Sequence, residues 1–198
     1  MSRDPASPTA GAPTDRVPCR VREARPDDLA GIWDLLLGLA AFEKLEREVA
    51  GRPERLGEDL FGPRPHVGCV VAESGGVLVG YALFYPVYSS FRTMTAMWLE
   101  DLFVEPSERG RGTGRALLAE VARIALERGC RAVDWLVLDW NRPSITFYER
   151  MGARPADGEW LEYGLDQAAM RTLIGSSAGR GRAPGGPVRG TGPTSSDT

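Results

Sequence analysis

Apolar residues at Ile32, Leu35, Leu36, Leu39 and Phe42 recur every three or four positions, the spacing of one helix face. Pro26-Asp27-Asp28 precedes them, a proline and two acids where a helix start favours them. The pattern predicts a helix there, a short strand before it over residues 19–24, and a second short helix over 53–61. Apolar runs at 67–73 and 77–87 flank Gly75-Gly76 and read as a hairpin. A further strand is expected over 93–104, broken by Pro106. Helical spacing returns at Leu117, Leu118, Val121, Ile124 and Ala125, predicting a helix over 113–128 closed by Gly129. A strand over 132–140, a helix over 143–151 behind Asn141, a strand over 159–165 and a helix over 166–174 complete the order. This alternation describes an α/β domain with a mixed central β-sheet and helices on both faces. No internal repeat is visible.

The ends lack this patterning. Residues 1–16 and 175–198 are rich in Gly, Pro, Ser and Thr, with scattered Arg in the second. They hold nothing to bury and read as disordered tails around a folded domain at 17–174. With 24 basic against 27 acidic residues, the net charge of −3 argues against a nucleic-acid partner. Cys19, Cys69 and Cys130 are widely spaced, neither a disulfide framework nor a metal-binding pair, and suit a reducing compartment. His66 is the single histidine, so zinc catalysis and histidine triads lack material, and a loop position is its default. No apolar run reaches membrane-spanning length and no signal pattern opens the chain, so a cytoplasmic protein with no membrane partner is expected.

The chemistry concentrates around Arg109-Gly110-Arg111-Gly112-Thr113-Gly114-Arg115, between a predicted strand and a predicted helix. Glycines at alternate positions let the backbone approach a ligand, and the helix start turns unpaired N–H groups on it, forming a phosphate cradle. A P-loop would need Lys-Ser/Thr after the last glycine, where Arg115-Ala116 stands. A dinucleotide-binding turn would need different glycine spacing and a place after the first strand. Upstream, Glu100 and Asp101 interrupt an apolar strand. Adjacent strand residues face opposite sides, so at least one carboxylate is directed inward or into a cleft unless a bulge splays both. A structural acid capped by backbone donors is the other reading. Asn141, Ser144 and Tyr148 share one helix face, either a solvated stripe or a ligand wall. Leu102, Phe103, Val104 and Trp135 read as core by periodicity, and Glu43, Glu46 and Glu48 as a solvated face or an acidic pocket for a basic group.

Arg-x-x-Gly-x-Gly resembles the pyrophosphate loop of the GCN5-related N-acetyltransferases (GNAT superfamily). Leu99-Glu100-Asp101-Leu102-Phe103-Val104, the stretch from Trp140-Asn141 to Gly152-Ala153, and Ala41-Phe42-Glu43 are similar to its diamine (spermidine/spermine) acetyltransferase branch. The likeness spans nearly all of residues 20–174. It implies the GNAT fold, acetyl-CoA as acetyl donor without a metal, a small-molecule amine as acceptor, and a homodimer. Carried onto this chain, it implies that Gly110 to Arg115 with Arg109 hold the pyrophosphate (Arg109, Gly110, Arg111, Gly112, Thr113, Gly114, Arg115). Leu102, Phe103, Val104, Asn141, Ser144 and Tyr148 would follow the rest of the donor, with Tyr148 as general acid toward the thiolate. Glu100 would lie by the amine as the proton acceptor, and Phe42, Glu43, Asp101, Asp134, Trp135 and Leu136 would line the acceptor pocket. The chain departs from the branch at Phe42, where tyrosine is common, and in a shorter stretch between Gly152 and Trp160 around Asp157 and Glu159. Other acceptors, such as a thialysine-like amino acid or a protein amine, and a non-catalytic acyl-CoA-binding regulator are the competing expectations.

Overall fold

The structure is a computed structural model that describes residues 19–155 and 164–178. The chain divides into two units, one ending at Ala153 and one beginning at Arg154. The first contains β1 (Arg20–Glu23), α1 (Leu29–Glu43), α2 (Pro53–Phe61), β2 (Gly68–Ser74), β3 (Val77–Ser89), β4 (Met94–Val104), α3 (Thr113–Glu127), β5 (Val133–Asp134) and α4 (Arg142–Arg150). The second contains α5 (Gln167–Ala178), whose start is capped by the Asp166 carboxylate accepting from the Ala169 N–H at 2.7 Å. Helix α5 runs a turn into the expected tail. The rest of the tails and residues 159–163 of the expected last strand lie outside the described residues, and 164–165 form no strand. No described helix is long and apolar enough to cross a membrane.

The strands form a five-stranded sheet in the order β1-β2-β3-β4-β5, antiparallel except for the parallel pair β4–β5. Alternation along the strands supplies two apolar faces. One face packs Val71, Tyr81, Leu83 and Phe103 under Ile32 and Leu35 of α1 and Leu60 of α2. The other packs Val70, Ala82, Phe84, Met97 and Leu99 under Leu117, Val121 and Ile124 of α3. The mixed sheet covered on both sides is therefore as the apolar spacing predicts.

Two irregularities prepare the functional cleft. Between β3 and β4 the register passes from Leu83↔Asp101 to Phe84↔Leu99, leaving Glu100 as an extra, unmatched residue. This bulge reverses the alternation. Leu99 is buried toward α3, and Phe103 four residues later is buried toward α1. Glu100 and Asp101 thus fall together on the α1 side. The second irregularity corrects the expected strand at 132–140: pairing with β4 is limited to Met97↔Val133 and Trp98↔Asp134. Bulges bend and twist a strand, and β5 leaves β4 one residue before Leu99 and the bulge. Beyond it Leu136, Val137 and Leu138 are exposed rather than sheet-buried.

Candidate active site

Where β4 and β5 part, a cleft of about 1210 Å³ opens between the end of α1, the second half of β4, the start of α3 and α4. One end is cationic and rich in backbone donors. Gly110 (φ 73°) and Gly112 (φ 87°) occupy the left-handed region, and Gly112 caps α3 without any side-chain hydrogen bond. The first-turn N–H groups of α3 therefore have no side-chain partner, and the positive end of the helix is open to an anion. Gly110, Gly112, Gly114 and Arg115 line the cleft, while Thr113 is buried. Arg111 lies outside the lining and pairs with Glu108 at 2.8 Å. Arg109 folds inward. Its Nε–H donates to the Val104 carbonyl at 2.9 Å, and its guanidinium stands 4.5 Å from the Phe42 ring centroid and 5.5 Å from that of Phe103.

Asn141 starts α4 by accepting the Ser144 N–H at 3.3 Å, and is nearly fully buried. Helix periodicity from this cap turns Ser144, Phe147 and Tyr148 to the cleft. Arg142 and Arg150 join the lining from the same helix. With Arg115 they have no acidic partner among the described residues. The Tyr148 ring is held between Trp135 at 4.8 Å and Phe147 at 5.2 Å. Burial, then the charge of Glu43, pushes its phenol up to about 12.

The other end is acidic. Helix α1 ends with Lys44 in the left-handed region (φ 61°) and the Leu45 N–H donating to the Ala40 carbonyl at 2.8 Å, a C-terminal turn that leaves Phe42 and Glu43 at the cleft wall. Glu100 and Asp101 face them across the bulge. The Tyr81 hydroxyl donates to Asp101 at 2.9 Å. Tyr85 Oη and Trp98 Nε1 both donate to Oε2 of Glu100, at 2.9 and 3.0 Å. Burial pushes Asp101 up to about 6, with further contributions from the Glu100 and Glu43 charges, against the lowering effect of Tyr81. Burial also raises Glu43. Elsewhere acids sit beside arginines, as in Arg22–Asp28, Arg55–Asp59 and Arg123–Glu120. Among the described residues no ion pair reaches Glu43, Glu100 or Asp101, so their negative charge is left uncompensated.

Leu102, Phe103, Val104 and Leu136 also line the cleft. Asp134 and Trp135 do not: Asp134 pairs with Arg131 at 2.9 Å, and Trp135 is taken up by a tilted ring contact with Tyr148. Sequence reasoning missed Arg142 and Arg150, which lie on the α4 segment it had already singled out. It also missed Tyr85 and Trp98, although Trp98 at i−2 from Glu100 shares its strand face. His66 is exposed, with no place in the cleft. No cluster suited to a metal ion occurs among the described residues.

An open helix start beside arginines without ion-pair partners among the described residues suits a polyanion, and the acidic end suits a cation. The model of the acetyltransferase (GNAT) family matches residues 37–153. A thialysine N-epsilon-acetyltransferase of Mus musculus is 38% identical over 79% of this chain and 97% of its own length. A spermidine/spermine N(1)-acetyltransferase-like protein of Homo sapiens is 32% identical over 71% of this chain and 21% of its own. Among solved structures, AAC(6')-Iy in complex with a bisubstrate analogue, CoA-S-monomethyl-acetylneamine, superposes with a TM-score of 0.60 at 21% identity, covering 75% of this chain and 99% of that one.

Proposed function

The chain belongs to the GNAT family of acetyltransferases, an acetyl-CoA-dependent N-acetyltransferase, and from that premise we propose that its acceptor is a primary amine of a small polyamine or diamine. The observation that carries this reading is the acidic end of the cleft, where Glu43, Glu100 and Asp101, with no ion-pair partner among the described residues, line the same cleft as Tyr148. A primary ammonium has a pKa near 10.4, so roughly one molecule in a thousand is nucleophilic at pH 7, a deficit of about 4–5 kcal/mol. Glu43 and Asp101 attract the cation, and Glu100 accepts its proton, directly or through water. The free amine then attacks the acetyl carbonyl. The Leu102 N–H lies on the same edge of β4 as the Val104 carbonyl that Arg109 reaches, by the two-residue repeat of a strand. It is the donor assigned to the carbonyl oxygen. As the C–S bond breaks, Tyr148, whose raised phenol still carries its proton at neutral pH, hydrogen-bonds and protonates the departing thiolate, and the second proton of the attacking nitrogen returns through water to the phenolate. The α3 start with Arg115, Arg142 and Arg150 takes the phosphates of acetyl-CoA.

The likeness to the mouse enzyme favours a second acceptor, a thialysine-like amino acid with a terminal amine. A homodimer in the cytoplasm completes the proposal, with acids from a partner chain closing the acceptor pocket. Measuring CoA release across diamines, polyamines, amino acids and peptides decides among acceptors. Turnover confined to diamines supports the first reading, and turnover confined to amino acids the second. Release with no small amine overturns both.

A further inference from the structure

We propose that Tyr85 and Trp98 are positioning residues that aim the Glu100 carboxylate at the acceptor amine while leaving its charge intact. The inference rests on the reading that Glu100 meets the amine. Glu100 is the extra residue of the β4 bulge, so it has no opposite neighbour on β3 to pack against and its side chain reaches an exposed position. A free glutamate there would sample many rotamers and would have to be ordered at each turnover.

Both donors converge on one oxygen. Tyr85 Oη lies 2.9 Å and Trp98 Nε1 3.0 Å from Oε2. An indole N–H can only donate, so the bond from Trp98 fixes Oε2 as an acceptor. Oε1 has no partner among the described residues and belongs to a side chain lining the cleft. Two bonds to one oxygen set the carboxylate plane and present the other oxygen. Neither Tyr85 nor Trp98 lines the cleft, so their contribution passes through Glu100.

The choice of donors matters as much as their number. An arginine would hold a carboxylate more firmly but would compete with the ammonium for its charge. A phenol and an indole are neutral, so they orient the group without cancelling it. The Tyr81–Asp101 bond repeats the device one residue along the strand. The raised phenol of Tyr85, pushed up to about 12 by burial and by its bond to Glu100, keeps this donor protonated wherever the enzyme works.

The test is a double-mutant cycle on the full chain, with the best amine found in the acceptor panel and saturating acetyl-CoA. Tyr85→Phe and Trp98→Phe are each expected to lower kcat/KM for the amine about tenfold, the scale of a lost hydrogen bond to a charged group. The KM for acetyl-CoA should not change. In a Glu100→Gln background neither substitution should lower kcat/KM further, because no charge remains to be aimed. Unchanged values for the single variants, or the same loss repeated in the Glu100→Gln background, overturn the clamp. If Glu100→Gln itself costs nothing, or no amine is turned over, the underlying reading fails and the clamp with it. If Glu100→Gln is damaging while Tyr85→Phe is silent, only the clamp fails. Tyr85→Phe removes a single hydroxyl, so it carries the test even if Trp98→Phe does not fold.

Discussion

Asp101 and Tyr148 show how one environment shifts two different acids in the same direction. Both are shifted upward first by burial and then by the charge of Glu43 or Glu100. For Tyr148 this means the phenol remains an acid throughout the neutral and mildly alkaline range. Tyr148→Phe should lower kcat by about 10²–10⁴ with little change in the KM for acetyl-CoA. In the unmodified enzyme, deprotonation of this acid should produce no alkaline fall in kcat below about pH 10. Asp101 gives the opposite diagnostic. Its folded form holds a proton more tightly than the unfolded chain between its ordinary 3.8 and about 6, so stability is greatest below that window and falls as pH rises through it. Some two pH units correspond to up to about 3 kcal/mol. Denaturant melts at pH 4 and pH 7 should show that loss, and Asp101→Asn should remove it. The carboxylate gained above pH 6 attracts the ammonium, so the amine KM should fall over the same window only when Asp101 is present.

At the scale of elements, the glycine loop separates conformation from contact. Gly112 has φ 87° with open space where a Cβ would lie, whereas a Cβ on Gly114 would meet the Phe147 ring at 3.6 Å and the Val104 side chain at 3.8 Å, both ordinary contacts. Gly112→Ala therefore strains the backbone, costing about 1–2 kcal/mol of stability by thermal or denaturant melt. Gly114→Ala lies in the first turn of α3 and meets no clash, so the fold should be as stable or more so. If the loop approaches the pyrophosphate closely, the same substitution should raise the KM for acetyl-CoA several-fold. Unchanged KM would remove the close-approach role. This loop was legible because glycine spacing is itself the signal. The bulge at Glu100 was legible only as an alternative that two adjacent acids in an apolar strand raise, since nothing local in Leu99-Glu100-Asp101-Leu102 marks which residue is extra. The overlong strand at 132–140 failed for the related reason that its apolar residues continue after its hydrogen-bond partner has turned away.

For the molecule as a whole, the two-sided core followed from periodicity, because Leu117, Val121 and Ile124, or Ile32 and Leu35, can be buried together only on one helix face. The open start of α3 in the cleft followed from a contiguous motif. The acidic end is assembled from α1, β3 and β4, so Tyr81 and Tyr85 on β3 carry no mark in the sequence until the strands pair, while Trp98 is marked only by its place two residues before Glu100. The resulting polarity, arginines at one end of one cleft and unpaired acids at the other, is invisible in a net charge of −3.

The early departure of β5 carries one more consequence, for colloidal behaviour. From Leu99 onward, the edge of β4 facing away from β3 has no strand beside it among the described residues. Natural proteins guard such edges because they template pairing with other chains. Here Arg109 blocks part of the edge by donating to Val104, and an extended amide-bearing ligand lying along the rest would complete the guard. Acetyl-CoA should then act as a chaperone for its own enzyme: light scattering on warming should rise later in its presence than with equal ionic strength of pyrophosphate, which fills the loop but leaves the edge bare.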